Sequence, residues 1–289
     1  MAGIEVRRLS YGLGAEILGV DPRYPLDAAT LEALRAAWQA HLILLFRDVD
    51  WTIAQHIAFT RQFGELELHG DKGLRGDNIA ALFRVTNRIT DGKRSNTAEV
   101  GRKWHSDGSF MARPSGGSML HCRALPSVGG NTLFTNMYLA YETLSETLRK
   151  IIERLYVVND VALAPEYQVM DPAQVAQSIR DNPPMKYPLV RVHPGTGRKA
   201  LYVSDMLTRE IWGMTRQESE GLIHFLCTHA TRPEFTYRHT WRVNDLILWD
   251  NRCTMHLAPA DYDPDELRDM CRTTLAGERI GEPVPPAAG

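Results

Sequence analysis

The sequence predicts a mainly β chain with helices packed outside its sheets, either a β-sandwich or a double-stranded β-helix. Three observations point there. Leu42-Ile43-Leu44-Leu45-Phe46 is apolar without interruption, as a strand buried on both faces requires. Strand-like runs are separated by helical patterns early in the chain and by tight turns late in it. No internal repeat or linker divides the 289 residues, so a single domain is expected over 1–289.

In chain order, Gly12 to Asp21 reads as a turn followed by a strand, and Asp27 is placed to cap a helix over Ala28 to His41. Leu31, Leu34, Ala37 and Trp38 recur there at helical spacing, a stripe suited to lying on a sheet. After the 42–46 strand, a second amphipathic helix is expected over Thr52 to Phe63, with Ile53, Ile57 and Phe63 inward and Gly64 as its stop. Leu82 to Thr86 is a strand, and the polar stretch Asn87 to Arg102 is read as a lid. Ser118 to Ala124 is a strand expected beside the segment around His105. Gly129-Gly130-Asn131-Thr132 turns into a strand, and a helix follows over Met137 to Arg154, with Ser145 capping a second piece. Pro165 to Pro184 reads as an irregular insertion, and Tyr187 to Val192 with Lys199 to Val203 as a hairpin. Thr215 with Glu218 forms a capping box for a helix to His229. Phe235 to Trp241, Leu246 to Asp250 and Arg272 to Gly277 complete the strands, and Glu282 to Gly289 is a frayed tail.

Charged residues make up 24% of the chain and the formal net charge is -2, so there is no basic field to attract nucleic acid. Small neutral or anionic substrates are compatible with that balance. Cys122, Cys227, Cys253 and Cys271 form no metal-finger spacing, and the chain starts without a signal-like apolar segment, so reduced thiols and a cytoplasmic location are expected. No apolar run approaches the roughly 20 residues of a membrane span.

The chemistry lies in two separated stretches. In Lys103-Trp104-His105-Ser106-Asp107-Gly108-Ser109-Phe110, an extended backbone would project His105 and Asp107 to one face. Taken alone, such a pair is more often a surface polar pair or a hydrogen-bonded histidine. Much later, the apolar run Leu246 to Trp249 leads through Asp250-Asn251-Arg252 to His256. Two imidazoles and one carboxylate with the remaining positions open are the ligand set of a non-haem Fe(II) oxygenase. A separation of His256 from the other two by more than about 6 Å would exclude a shared ion, since metal–nitrogen bonds are about 2 Å.

The sequence resembles the taurine dioxygenase / 2,4-dichlorophenoxyacetate dioxygenase family of Fe(II)- and 2-oxoglutarate-dependent enzymes. The family pattern runs W-H-S/T-D-x-S/T-F, G-G-N/D-T, W-D-N-R-x-x-x-H and R-x-x-x-R. This chain has Trp104 to Phe110, Gly129 to Thr132, Trp249 to His256, and Arg268 with Arg272, in that order. The resemblance implies a jelly-roll core with the metal between its sheets, and Fe(II) held by His105, Asp107 and His256. It implies 2-oxoglutarate and O2 as co-substrates, with release of succinate and CO2. By motif position, Arg268 and Thr132 hold the distal carboxylate of 2-oxoglutarate, and Arg272 the anionic group of the prime substrate. His69 matches a substrate-contacting histidine and Phe110 an aromatic wall of the substrate site. Gly101 stands where taurine enzymes carry an Asn for the substrate amine, which argues against taurine itself. A small carboxylate, sulfonate or sulfate ester is the expected substrate, and relatives of this kind commonly form dimers or tetramers. A non-catalytic jelly-roll sensor that kept the pocket is the alternative.

Overall fold

Alternation along the strands decides where the apolar residues of this chain go. In the computed structural model, which describes residues 4–68, 79–90, 92–95, 97, 100–168 and 170–284, the uninterrupted run lies inside a seven-stranded sheet. Its strands are ordered Glu5–Arg8, Ala15–Leu18, Ile43–Phe46, Leu246–Asp250, Gly117–Ala124, Asp269–Leu275 and Phe83–Thr86. Successive side chains point to opposite faces, so each central strand feeds two cores. Leu44, Phe46, Leu246, Leu248 and Met119 join one cluster, while Ile43, Leu45, Ile247, Trp249 and Leu120 join the other. Burial on both faces is thus the physical reason for the apolar run.

The first cluster is covered by two helices. Ala28–His41 begins where Asp27 accepts a hydrogen bond from Thr30 N, and it ends at Leu42, whose φ of 65° is left-handed. Its buried Leu34, Ala37 and Trp38 sit on the sheet as expected. It also provides the crossover that a parallel pair needs, because Ala15–Leu18 pairs with Ile43–Phe46 in parallel. The second helix, Ile53–Arg61, carries a capping box from Thr52 and Gln55. The inward face differs from expectation: His56, Phe59 and Thr60 are buried, while Ile53 and Ile57 are only partly so. The cause is a polar match to the sheet, where Thr273 Oγ1 lies 2.7 Å from Thr60 Oγ1 and 3.1 Å from His56 Nε2.

The second cluster fills the space between this sheet and the strands facing it. Those are a three-stranded sheet, Thr236–His239, Thr132–Asn136 and Thr254–Leu257, and a four-stranded one, Thr208–Ile211, Tyr156–Asn159, Met185–Pro188 and Glu282–Pro283. Phe134 and Trp249, one from each side, bring their ring centroids to 5.6 Å. This is the jelly-roll arrangement. The helices Met137–Glu142 and Glu146–Ile152, the latter capped by Ser145, follow the expected division. Arg216–Ala230 carries the Thr215–Glu218 capping box.

Three expectations are corrected. Pro165 to Pro184 is not irregular throughout: Pro172–Asp181 is a helix, opened by Asp171, whose carboxylate accepts from Ala173 N and Gln174 N. The run Tyr187 to Val192 is divided between two sheets, since Met185–Pro188 pairs with Tyr156–Asn159 and only Val190–Val192 pairs with Lys199–Leu201. The strand Gly117–Ala124 lies between Leu246–Asp250 and Asp269–Leu275, not beside the His105 segment. In the stretch read as a lid, Asn87 and Thr97 are buried and tied down: Thr97 Oγ1 donates to Thr86 O and Asn87 Nδ2 to Glu266 O. Residues 91, 96, 98 and 99 of that stretch, and the tail from 285 on, lie outside the described residues. Among the described residues, no helix is long and apolar enough to cross a membrane.

Candidate active site

Register places the second histidine. In the antiparallel pairing of Thr254–Leu257 with Thr132–Asn136, His256 lies opposite Phe134 and therefore shares its inward face. Its ring stands 4.8 Å from that of Trp249. His105 is then brought to it directly, by an isolated bridge in which His105 N donates to His256 O at 3.1 Å and His256 N to His105 O at 2.8 Å. No strand runs through residues 105–107, contrary to the extended backbone expected. Only His105 pairs, and Asp107 lies in the following turn.

The three side chains nevertheless converge. His105, Asp107 and His256 are all buried, and their ligand atoms lie within 4.8 Å of one another, inside the 6 Å limit set by the chemistry. Each Nε2 is 3.8 Å from Asp107 Oδ1. His105 Nδ1 is 2.8 Å from Lys103 O, a contact that calls for the proton on Nδ1 and leaves the Nε2 lone pair facing the aspartate. Burial and the neighbouring His105 push the His256 pKa down to about 3, so its imidazole is neutral, the form that binds a metal. Burial opposes ionisation of Asp107, but Arg272, the two imidazoles and the Ser118 hydroxyl outweigh it and hold the carboxyl below its ordinary range. A buried carboxylate between two imidazoles, with both Nε2 atoms turned toward it, fits a divalent cation.

Around Asp107 the two oxygens are differentiated. Ser118 Oγ donates to Oδ2 at 2.6 Å, while Oδ1 accepts from Arg272 Nη1 at 2.6 Å. Asn251 braces the same turn, its Oδ1 accepting from Asp107 N at 3.2 Å and from Trp249 Nε1 at 2.8 Å, and its Nδ2 donating to Ser118 Oγ at 2.9 Å. Neither Ser118 nor Asn251 stood out in the sequence. Asn251 lies within the W-D-N-R stretch and was readable there, whereas nothing local marks Ser118. Gly101 closes the site from the other side: its φ is +78°, and a Cβ there would stand 3.2 Å from His105 Cε1.

Two cavities meet at this cluster. The smaller, about 30 Å³, is lined by Leu120, Thr132, Trp249, His256, Arg268 and Arg272. Arg268 precedes the strand Asp269–Leu275 and Arg272 lies within it, so the two arginines share one face. Arg268 donates Nε to Gly130 O at 3.0 Å, and no carboxylate faces its Nη groups among the described residues. Burial lowers its pKa, outweighing the more distant Tyr262 and Asp261. Thr132 Oγ1 accepts from Trp241 Nε1 at 3.0 Å, which leaves its hydroxyl hydrogen for another acceptor. This pocket suits a small carboxylate.

The larger cavity, about 260 Å³, opens on the other side of the cluster and is lined by Phe110, Met111, Val161, Ala164, Met206 and Leu207 together with polar groups. His105 and Arg272 line both cavities. Phe110 packs against Ala164, Met206 and Leu207 and lines this cavity. His69 lies outside the described residues. Glu67 and Glu166, which sequence reasoning passed over, also face this cavity.

A second cluster, His193, Asp250 and Cys253, has metal-like spacing. Its atoms are already engaged. His193 Nδ1 accepts from Gly195 N and Thr196 N, its Nε2 lies 3.0 Å from Asp250 Oδ2, and Arg252 holds both oxygens of Asp250. Burial raises the Cys253 pKa well above its usual value, in keeping with a structural thiol.

Comparison with known proteins agrees with this geometry. Residues 5–274 match the family described as "Taurine catabolism dioxygenase TauD, TfdA family". An (S)-phenoxypropionate/alpha-ketoglutarate-dioxygenase of Sphingobium herbicidovorans is 32% identical over 285 residues, 96% of each chain. An alpha-ketoglutarate-dependent 2,4-dichlorophenoxyacetate dioxygenase of a Burkholderia species is 35% identical over 248 residues, 82% of each. The crystal structure of a taurine dioxygenase from Burkholderia xenovorans superposes with a TM-score of 0.82 at 34% identity, covering 99% of this chain and 97% of that one.

Proposed function

This chain belongs to the TauD/TfdA family of Fe(II)- and 2-oxoglutarate-dependent dioxygenases, and from that footing we propose how its own residues divide the work on a small organic anion. The observation that carries the proposal is the convergence of His105, Asp107 and His256 beside Arg268, a buried guanidinium with no ion-pair partner among the described residues. His105, Asp107 and His256 would hold Fe(II), two imidazoles and one carboxylate being the donor set of a non-haem Fe(II) oxygenase. When bound, Fe(II) with 2-oxoglutarate and O2 supplies the oxidising power for hydroxylation, releasing succinate and CO2.

The protein's part is binding and orientation. Arg268 takes the distal carboxylate of 2-oxoglutarate through its Nη groups, where a guanidinium offers two parallel donors. Thr132 donates its remaining hydrogen to the same carboxylate. Arg272, at the junction of the two cavities, holds the acid group of the prime substrate and so sets which carbon faces the metal. Phe110 and the methionine-rich wall exclude water from the rest of that molecule. The prime substrate is a carboxylate, sulfonate or sulfate ester.

Purified protein given Fe(II), ascorbate and 2-oxoglutarate is expected to release succinate, and His256→Ala to lose both Fe(II) binding and succinate release. No turnover of 2-oxoglutarate with any member of a panel of carboxylates, sulfonates and sulfate esters would reject the assignment. The same reading places the chain in the cytoplasm as a homodimer or homotetramer. Four free, buried cysteines support a reducing compartment, and light scattering of the purified protein tests the assembly.

A further inference from the structure

The larger cavity contains a group that a plain aliphatic or aryloxy acid would leave unsatisfied. Glu166 projects into it from the turn Pro165–Gln168, and its Oε2 is fully enclosed yet accepts no hydrogen bond among the described residues. Burial raises its carboxyl pKa, outweighing its own backbone N–H and the more distant His105. The second carboxylate in the wall, Glu67, differs in having a partner: Ser115 Oγ donates to its Oε2 at 2.8 Å. The cation among the described lining residues is Arg272, and it is engaged with Asp107. The same cavity is lined by the apolar Val161, Ala164 and Met206 and by Tyr167 and Ser178, whose hydroxyls hydrogen-bond to each other. Oε2 is closed off already, but the residue as a whole is only partly buried and lines the cavity, so a substrate made only of an acid group and hydrocarbon would cover the rest of the carboxylate and bring no donor of its own. Such an arrangement is disfavoured, because buried polar groups are costly unless hydrogen-bonded.

We propose that Glu166 is a specificity-determining residue that reads a hydrogen-bond donor on the prime substrate, an ammonium or hydroxyl group carried in addition to its acid group. This rests on the dioxygenase reading and narrows it. Selection works by rejection as much as by attraction. An acid that lacks the donor strands Glu166, whereas one that carries it satisfies Glu166 and Arg272 together. The segment that delivers Glu166 also delivers Tyr167 and Met170 to the same wall, so the insertion forms one side of the substrate site.

The test uses the full chain loaded with Fe(II) and 2-oxoglutarate in the absence of O2, with pentanoate, 5-hydroxypentanoate and 5-aminopentanoate as matched probes, titrated by calorimetry. The hydroxy or amino acid is expected to bind about tenfold or more tighter than pentanoate. Glu166→Gln, close to isosteric, is expected to lose any preference for the amine while keeping one for the hydroxyl, which separates the two donors. Glu166→Leu is expected to make pentanoate the tightest of the three. Near-ultraviolet circular dichroism confirms that each variant is folded. Equal affinity for the three acids, or no binding of either donor-bearing acid, in protein that binds 2-oxoglutarate, overturns the proposal and leaves the dioxygenase reading intact. Failure to bind 2-oxoglutarate overturns that reading, and the proposal with it.

Discussion

Asp107 meets Arg272 on one oxygen, Ser118 on the other, and two imidazoles at 3.8 Å, so its charge is answered from several sides at once. With Oδ2 occupied by Ser118 and Asn251, it is Oδ1, also held by Arg272, that faces His105 and His256. A carboxylate fixed this way binds metal through a chosen oxygen, and groups that fix a ligand commonly matter to affinity by 10–100-fold. Ser118→Ala is therefore expected to weaken Fe(II) binding by roughly that factor, measured by metal titration, with 2-oxoglutarate binding at saturating Fe(II) changed much less. For Arg268→Ala, Fe(II) affinity should hold while the 2-oxoglutarate Kd rises by about 2–5 kcal/mol equivalent, the usual cost of removing one partner of a buried charge pair. Unchanged 2-oxoglutarate affinity would remove Arg268 from its role. At this scale the candidate ligands were legible because His105, Asp107 and His256 sit in stretches whose order is distinctive. Ser118 and Glu166 were not, since a serine in a strand and a glutamate in a turn acquire meaning only from what folds against them.

Elements reproduce the sequence reading where local signals are complete. Ala28–His41 begins and ends where Asp27 and the chain's turn at Leu42 dictate, and Arg216–Ala230 starts at its capping box. Thr215→Ala should lower stability by about 1 kcal/mol in urea unfolding and leave Fe(II) binding alone, since the cap acts on the helix only. Gly101 joins element to site. Gly101→Ala forces an L side chain into positive φ, costs about 1–2 kcal/mol of stability, and presses on the His105 ring, so Fe(II) affinity should fall with it. An Ala variant with full affinity and stability would show that the turn relaxes freely. The element reading failed where neighbours mattered. Ile53 and Ile57 looked like the inward face of their helix, but the sheet offered Thr273 as a partner for Thr60 and His56 instead. The Pro-rich look of 165–184 hid a helix whose Asp171 cap and Pro172 start were both present in the sequence.

Across the whole molecule, the turn that carries the chain toward His256 is tied to the Val190–Leu201 hairpin region by Asp250, Arg252 and His193. Burial works against ionisation of Asp250, but Arg252 and His193 outweigh it and keep the carboxyl well below its ordinary range. A carboxyl depressed in the folded state contributes stability fully present above its unfolded pKa of about 3.9, and lost as pH falls through the lower folded value. Acid unfolding should therefore steepen below about pH 4. Asp250→Asn should flatten that acid limb while lowering stability at pH 7 by about 3–5 kcal/mol, because Arg252 loses its buried partner. Parallel acid limbs in the two proteins would refute this.

The sequence by itself determined the sheet's central strands and the main helices and singled out His105, Asp107 and His256 as candidate ligands, because alternation, capping and ordered motifs are written in neighbouring residues. Only the tertiary structure decided that His105 meets His256 through a single bridge, that Arg268 and Arg272 line one pocket with Thr132, and that Glu166 Oε2 is enclosed without a donor. Those facts depend on strand register and on which distant surfaces come into contact, and such long-range packing leaves no local trace along the chain.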